Sequence, residues 1–368
     1  MTADLDDRLV RARAAAAAAG LDALLITPGA GLRYLTGYDA KPLERLTCLV
    51  LPADGTASLV VPGLEEPAAV ASGAGKLALD ILPWDETDDA VALAAALLPD
   101  ARRVGLDDQM WAEKALRFRA AMPGVQQVAA GAVLAELRMR KSAAEVEALR
   151  EAGAAIDRVH ARVGEWLRAG RTEAEVGRDI AAAILAEGHV TADFVIVASG
   201  PNSASPHHET SGRVIAAGDP VVVDIGGTTE AGYCSDSTRT YAVGDPGAEY
   251  RAAYDALQAA QAAAVAHVRP GVTAESVDAA ARSVLTEAGL GEAFIHRTGH
   301  GIGMETHEEP YIVAGNTLAL EPGMAFSVEP GFYLAGRYGA RIEDIVVATA
   351  DGVEALNRRP RDLVILDT

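Results

Sequence analysis

Only two cysteines, Cys48 and Cys234, stand in a chain of 368 residues. Two thiols so far apart make no disulfide framework, and neither has the C-x-x-C spacing of a zinc or redox site. Free thiols in a reducing, cytoplasmic setting are expected. Long apolar runs are missing as well: none approaches the roughly 20 residues that a membrane span needs. The opening MTADLDDRLVRARAAAAAAG is acidic at its start, with charges scattered among its alanines, unlike a secretory leader. Positive charge is scarce, with 32 Lys and Arg against 52 Asp and Glu and a formal net charge of −20 at pH 7. That balance repels phosphate polyanions and argues against nucleic acid or an anionic membrane as partner; its plain effect is solubility.

Apolar residues are not scarce. Half of the chain is hydrophobic, ample for a packed core, and the length exceeds the roughly 100–200 residues of a typical domain, so two domains are expected. The fold class is α/β (α+β). Residues 1–133 alternate helical and strand patterns: an Ala-rich opening helix, LDALLIT as a buried strand, and LTCLVLPADGTASLVVPG as two strands around an Asp-Gly turn. Residues 134–368 form the second domain. Ser142 and Glu145 have the spacing of a capping box ahead of an amphipathic helix running to about Leu167.

An internal repeat runs through the second domain. RAGRTEAEVGRDIAAAILAEG (168–188) and RPGVTAESVDAAARSVLTEAG (269–289) align without a gap, each with a Gly turn, a Thr cap at Thr172 or Thr273, a helix, and a stop at Gly188 or Gly289. Further on, AAGDPVVVDIGG matches EPGMAFSVEPG, with Asp224 over Glu329. The repeat predicts two halves of helix and antiparallel strands about a pseudo-twofold. Their strands, each ending on a carboxylate, would meet as one curved sheet with helices outside, bringing Asp224 and Glu329 to a shared centre.

Each hairpin adds a second carboxylate, Asp236 or Glu343. Four anions gathered in a low-dielectric pocket must take up protons or a cation. Oxygen ligands favour a hard divalent metal, and one imidazole moves the preference from Ca²⁺ toward Mn²⁺, Co²⁺ or Zn²⁺. HRTGHGIGMETHEEPYI (296–312) supplies that imidazole in His300, flanked by glycines that let backbone approach a ligand, with His307 reaching the same pocket. His207 and His208, after Pro206, occupy the equivalent place in the first half. His296 is expected to be packed in a strand-like run, Glu308 and Glu309 to be solvated loop charges, and Arg239 and Arg341 to orient ligand carboxylates.

Asp224, Asp236, His300, Glu329 and Glu343 match, in order and nearly in spacing, the dinuclear metal site of the pita-bread (M24) metallopeptidases: methionine aminopeptidase, aminopeptidase P and prolidase. SDSTRT, GHGIGMETHEEP, SVEPG and ARIEDIVV resemble the motifs around those ligands, and residues 1–133 resemble the creatinase-type domain of aminopeptidase P and prolidase. The resemblance implies that Asp224 chelates one ion, His300 and Glu329 the other, and that Asp236 and Glu343 bridge both. It further implies two-metal peptide hydrolysis with Mn²⁺ foremost and Co²⁺ or Zn²⁺ possible, Glu329 moving the proton, and His207 and His307 steadying the carbonyl and the tetrahedral intermediate. The substrate would be a peptide with proline second, and the assembly a homodimer. Two departures stand out. The interval from Asp224 to Asp236 is one residue longer than the family's commonest form, and Tyr311 stands where prolidases carry an arginine that anchors the dipeptide's carboxylate. Arg341 is the candidate replacement. The Tyr311 departure puts aminopeptidase P ahead of prolidase; a metal-free creatinase-like hydrolase and a non-catalytic binding module are remoter alternatives, since such relatives lack the ligand carboxylates.

Overall fold

The computed structural model describes residues 2–368, with side chains from Asp4 onward. The chain divides into two compact units, Met1–Arg138 and Met139–Thr368. The division falls near the end of helix Gly131–Met139, the helix within which the boundary at 133/134 also lies.

The first unit is a six-stranded mixed sheet of β1 (Ala23–Ile26), β2 (Cys48–Pro52), β3 (Ala57–Pro62), β4 (Leu79–Trp84), β5 (Arg103–Leu106) and β6 (Gln126–Ala129), in the order β4-β3-β2-β1-β5-β6. Its central strands are continuous apolar runs without polar alternation, the pattern of strands covered on both faces. All four residues of β1 are accordingly buried. The expected hairpin joins β2 to β3 antiparallel, and Gly55 takes φ 115°, which an L side chain rarely adopts. Leu25, Val50, Val60, Trp84 and Phe118 form the core on one side.

The second unit carries β7 (His189–Ser199), β8 (Pro220–Thr229), β9 (Cys234–Val243), β10 (Gly299–Gly301), β11 (Glu308–Ile312), β12 (Ala325–Val328), β13 (Gly331–Leu334), β14 (Tyr338–Arg341), β15 (Asp344–Thr349), β16 (Gly352–Ala355) and β17 (Val364–Leu366). Its entry helix, Ala143–Trp166, begins at the Ser142 capping box closed by Glu145. The repeat is present in three dimensions. Thr172 caps helix Glu173–Ala186 and bridges Val214; Thr273 precedes helix Ala274–Glu287 and bridges Ala319. Gly188 and Gly289 end the two helices with φ of 109° and 75°. The caps differ. Glu175 completes the box with Thr172, whereas Ser276 stands at the matching place and bonds back to the Thr273 carbonyl at 2.6 Å, so the Thr273 hydroxyl caps nothing.

Each half has its own core, and the alternation of strand side chains turns the carboxylates away from it. In the first half Val221, Val223 and Ile225 of β8 cluster with Val176, Ile180 and Ile184. In the second, Phe326 and Val328 cluster with Val277, Ala281 and Leu285. Each Val, Ile, Leu or Phe among them contributes roughly 1.5–3 kcal/mol on burial, and together they fix which way Asp224 and Glu329 face.

Two details differ from the sequence expectation. The strands pair as a four-stranded sheet, β17-β9-β8-β7, a five-stranded sheet, β11-β10-β12-β15-β16, and the hairpin β13-β14, rather than as one continuous ladder. At the seam Glu343 N donates to Thr238 O at 3.1 Å, but Arg341 N donates to the Thr240 hydroxyl at 3.3 Å, so side chains replace part of the ladder. Asp224 also lies inside β8 rather than at its end, because pairing with β9 continues to Thr228 opposite Cys234.

Candidate active site

The five expected ligands converge. Ligand atoms of Asp224, Asp236 and Glu343 lie within 4.8 Å of one another, and so do those of His300, Glu329 and Glu343, giving two overlapping triads with Glu343 in common. Asp224 and Asp236 come from facing strands of one hairpin, Asp224 opposite Thr238 and Gly226 opposite Asp236. Glu343 is held across the seam by the Thr238 hydroxyl at 2.8 Å. Asp224 Oδ1 and Glu343 Oε1 are buried with no hydrogen-bond partner. A buried acceptor without a donor is costly, and a donor set of four carboxylates and one imidazole suits a divalent cation. The residues present therefore fit a metal pair.

Crowding of like charge has the expected effect on protonation. Burial, then Glu343, Asp224 and Glu329, push the Asp236 carboxyl well above its usual range; burial, with Glu329 and Asp224, does the same to Glu343. Burial opposes ionisation of Glu329 too, but the hydrogen bond and charge of His300, at 3.1 Å, with His296 and Arg341, hold it down at about 2.

His300 is fixed from both sides. Its backbone N–H donates to Ser327 Oγ at 3.0 Å, Ser327 Oγ donates to Glu329 Oε1 at 3.1 Å, and His300 Nδ1 pairs with the Gly301 carbonyl at 3.1 Å. The flanking glycines are required by space: a Cβ on Gly299 would stand 1.9 Å from Ser327 O, and one on Gly301 2.2 Å from Glu309 O. His307, just before β11, meets His300 with ring centroids 4.0 Å apart, and burial followed by His300 and Arg297 lowers its pKa to about 4. Glu308 is not a solvated loop charge. It is buried and ion-paired with buried Lys141, because β11 turns this side chain inward.

A cavity of ≈ 910 Å³ opens over the cluster, and His207, His307, Arg341 and all five expected ligands line it. Arg341 is buried there with its donors in use, to Asp224 Oδ2 at 2.5 Å, Tyr333 Oη at 2.8 Å and Thr238 Oγ1 at 3.2 Å. Arg239 lies behind the site, donating to the Glu343 carbonyl at 2.6 Å and to Asp344 at 2.7 Å rather than to a ligand carboxylate. Tyr311 is not part of the cavity wall; the guanidinium of Arg297 covers its ring at 4.3 Å. His296 packs edge-on against Phe294 at 5.2 Å and bonds to Tyr333 Oη at 2.9 Å, but its segment is not a strand and its ring also lines the cavity.

Three residues escaped the sequence reasoning. Arg297 lines the cavity beside His296. Glu173, fully buried, accepts from His208 Nε2 at 2.9 Å, from Ser199 and Ser211, and from Asn202, tying down the loop that carries His207. Lys141 anchors Glu308. A signal existed for Glu173 alone: it follows the cap Thr172, where a helix-start acid is common enough to pass unnoticed.

Residues 147–350 match the model of metallopeptidase family M24, and residues 8–140 match that of the Creatinase/Prolidase N-terminal domain. The chain is 56% identical over 360 residues to the probable dipeptidase PepE of Mycobacterium tuberculosis, covering 98% of this chain and 96% of that protein. It is 35% identical over 358 residues to the Xaa-Pro dipeptidase of Lactobacillus delbrueckii subsp. lactis, covering 94% and 95%. The crystal structure of dipeptidase PepE from Mycobacterium ulcerans superposes with a TM-score of 0.96 at 56% identity, covering 100% of this chain and 99% of that one. With its creatinase-type first unit and its pseudo-twofold second unit of helices over mostly antiparallel sheets, the chain belongs to metallopeptidase family M24 and is a peptidase.

Proposed function

We propose that this chain is a dinuclear-metal Xaa-Pro dipeptidase, which hydrolyses the bond between an N-terminal residue and a following proline. The observation that carries this reading is the pair of buried, unpartnered oxygens, Asp224 Oδ1 and Glu343 Oε1, within four carboxylates and an imidazole. Asp224, Asp236, His300, Glu329 and Glu343 would hold two divalent ions, Mn²⁺ foremost and Co²⁺ or Zn²⁺ next, given oxygen donors with a single nitrogen. When bound, such ions polarise the scissile carbonyl and make water nucleophilic near neutral pH.

The chain's own side chains do the rest. Glu329, oriented by Ser327 Oγ at 3.1 Å, takes the proton from the attacking water and passes it to the departing prolyl nitrogen. His207 and His307 face the same cavity and steady the carbonyl oxygen as it gains charge. Phe194 and Ile196 give the cavity an apolar wall, which suits a proline ring whose tertiary amide nitrogen offers no N–H.

An aminopeptidase P was the leading expectation from sequence. The names carried by the relatives at 56% and 35% identity support a dipeptidase instead. The five metal ligands speak against a metal-free creatinase-like hydrolase and against a non-catalytic module. The buried, unpaired thiols Cys48 and Cys234 agree with a cytoplasmic protein, and we propose a homodimer on the family resemblance. Among the described residues no helix is long and apolar enough to cross a membrane.

The test is hydrolysis of Gly-Pro beside Gly-Pro-Pro-Ala by protein stripped with chelator and reloaded with Mn²⁺. Cleavage of the dipeptide alone is expected. Cleavage of the longer peptide alone would make it an aminopeptidase, and activity indifferent to chelation would overturn the metal reading.

A further inference from the structure

We propose that Arg297, whose guanidinium lies over the ring of Tyr311, receives the C-terminal carboxylate of the substrate. The inference rests on the dipeptidase reading, because a dipeptide carries that carboxylate one residue from the scissile bond.

A dipeptidase needs a cation at its cavity wall, and the cations there are few. Arg341 is unsuitable: it is 3% exposed, paired with Asp224 and bonded to Tyr333 and Thr238. His208 is held by Glu173 at 2.9 Å. Arg297 differs from both. It lines the cavity near His307, it is half-buried, and among the described residues no carboxylate pairs with its guanidinium. Its contact is the Tyr311 ring, 4.3 Å below the guanidinium carbon.

That contact explains how the group is aimed. Stacking on an aromatic face leaves the edge of the guanidinium, with its forked N–H donors, free for a planar anion while restricting the side chain's rotation. Tyr311 is itself secured: its N–H donates to Glu309 Oε2 at 3.0 Å and its carbonyl accepts from Asn316 at 2.7 Å. The backbone of Arg297 is tied as well, its carbonyl accepting from His296 Nδ1 at 2.7 Å. A fork so mounted matches a carboxylate in bidentate fashion, which a lysine would not reproduce. The arginine absent from position 311 is in this way supplied from 297, with Tyr311 as its support.

The test compares Ala-Pro with Ala-Pro-amide, for the Mn²⁺-loaded wild type, Arg297→Met and Arg297→Lys. Thermal denaturation and metal analysis accompany each variant. The wild type is expected to prefer the free acid. Arg297→Met should lower kcat/KM for Ala-Pro by about 10- to 100-fold, chiefly through KM, and bring the acid-to-amide ratio close to one. Arg297→Lys should restore only part of the preference. Competitive inhibition by L-proline against L-prolinamide should lose its discrimination in step. A folded, metal-replete Arg297→Met that still prefers the acid overturns the proposal. So does a loss confined to substrates with an acidic residue before proline, which would assign Arg297 to that side chain. If the wild type cleaves only longer peptides, the dipeptidase reading fails instead, and the proline inhibition data still decide whether Arg297 holds a carboxylate.

Discussion

Glu173 and His208, 35 residues apart, meet at 2.9 Å under the loop that brings His207 to the cavity. The carboxylate is fully buried, and besides the imidazole it accepts from Ser199, Asn202 and Ser211. One side chain at a helix start thus ties the segment from Ser199 to Ser211.

Glu173→Gln should destabilise the fold by about 2–4 kcal/mol, because the neutral amide is a poorer acceptor and directs two N–H groups at donors. Burial opposes its ionisation, but bonds from Ser211, Ser199 and His208 hold Glu173 at about 2, below the ordinary 4.5. A depressed carboxylate stabilises the fold above its unfolded pKa and ceases to do so as pH falls through the folded one. The stability gap between wild type and variant should therefore be full at pH 6 and narrow between pH 4.5 and about 2. Denaturant melts across that range check it, and a gap that stays constant removes the charge from the account.

The cluster of carboxylates around Asp236 and Glu343 predicts the opposite slope in a different window. Asp236 and Glu343 have raised pKa values, so in the absence of metal the fold binds protons that the unfolded chain releases. The chelated protein should gain thermal stability as pH is lowered from 8 toward 5, and the Mn²⁺-loaded protein should not. A stripped protein whose Tm ignores pH over that range would mean that the carboxylates are not crowded.

His300→Ala removes an imidazole directly from the cluster. Metal affinity should fall by at least the roughly 10–100-fold typical of disturbing a ligand's support. Titration of stripped protein with Mn²⁺ measures this, and unchanged affinity takes His300 out of the site.

Lys141 and Glu308 form a buried pair next to His307. Lys141→Met leaves Glu308 charged and without this partner in the interior, at an expected 3–5 kcal/mol, about the usual cost of breaking such a pair. Lys141→Met combined with Glu308→Leu should recover most of it. If the double variant is no more stable than the single one, the coupling is absent.

Much of this architecture was legible because it is local. The Asp54-Gly55 hairpin, the Ser142–Glu145 box and the repeated Thr-helix-Gly units declare themselves within a few residues, and the order of Asp224, Asp236, His300, Glu329 and Glu343 could be read along the chain. What escaped is set by distant partners. Glu308 looked like a solvated loop charge because Lys141 lies 167 residues away. Which of His207 and His208 reaches the cavity as a free imidazole was not legible, because Glu173, which holds His208, belongs to the preceding helix. Arg297 carried no pattern at all, since its use depends on the Tyr311 ring beneath it.

The last strand of the chain, β17, pairs in parallel with β9, Val364 opposite Tyr241 and Leu366 opposite Val243. The hairpin that carries Asp224 and Asp236 thus finishes its sheet with residues synthesised more than a hundred positions later. During translation the β9 edge stays uncovered until Val364–Leu366 have emerged, and an open edge is where strands from other chains add. Until then the hairpin that carries Asp224 and Asp236 is open to mispairing along its β9 edge.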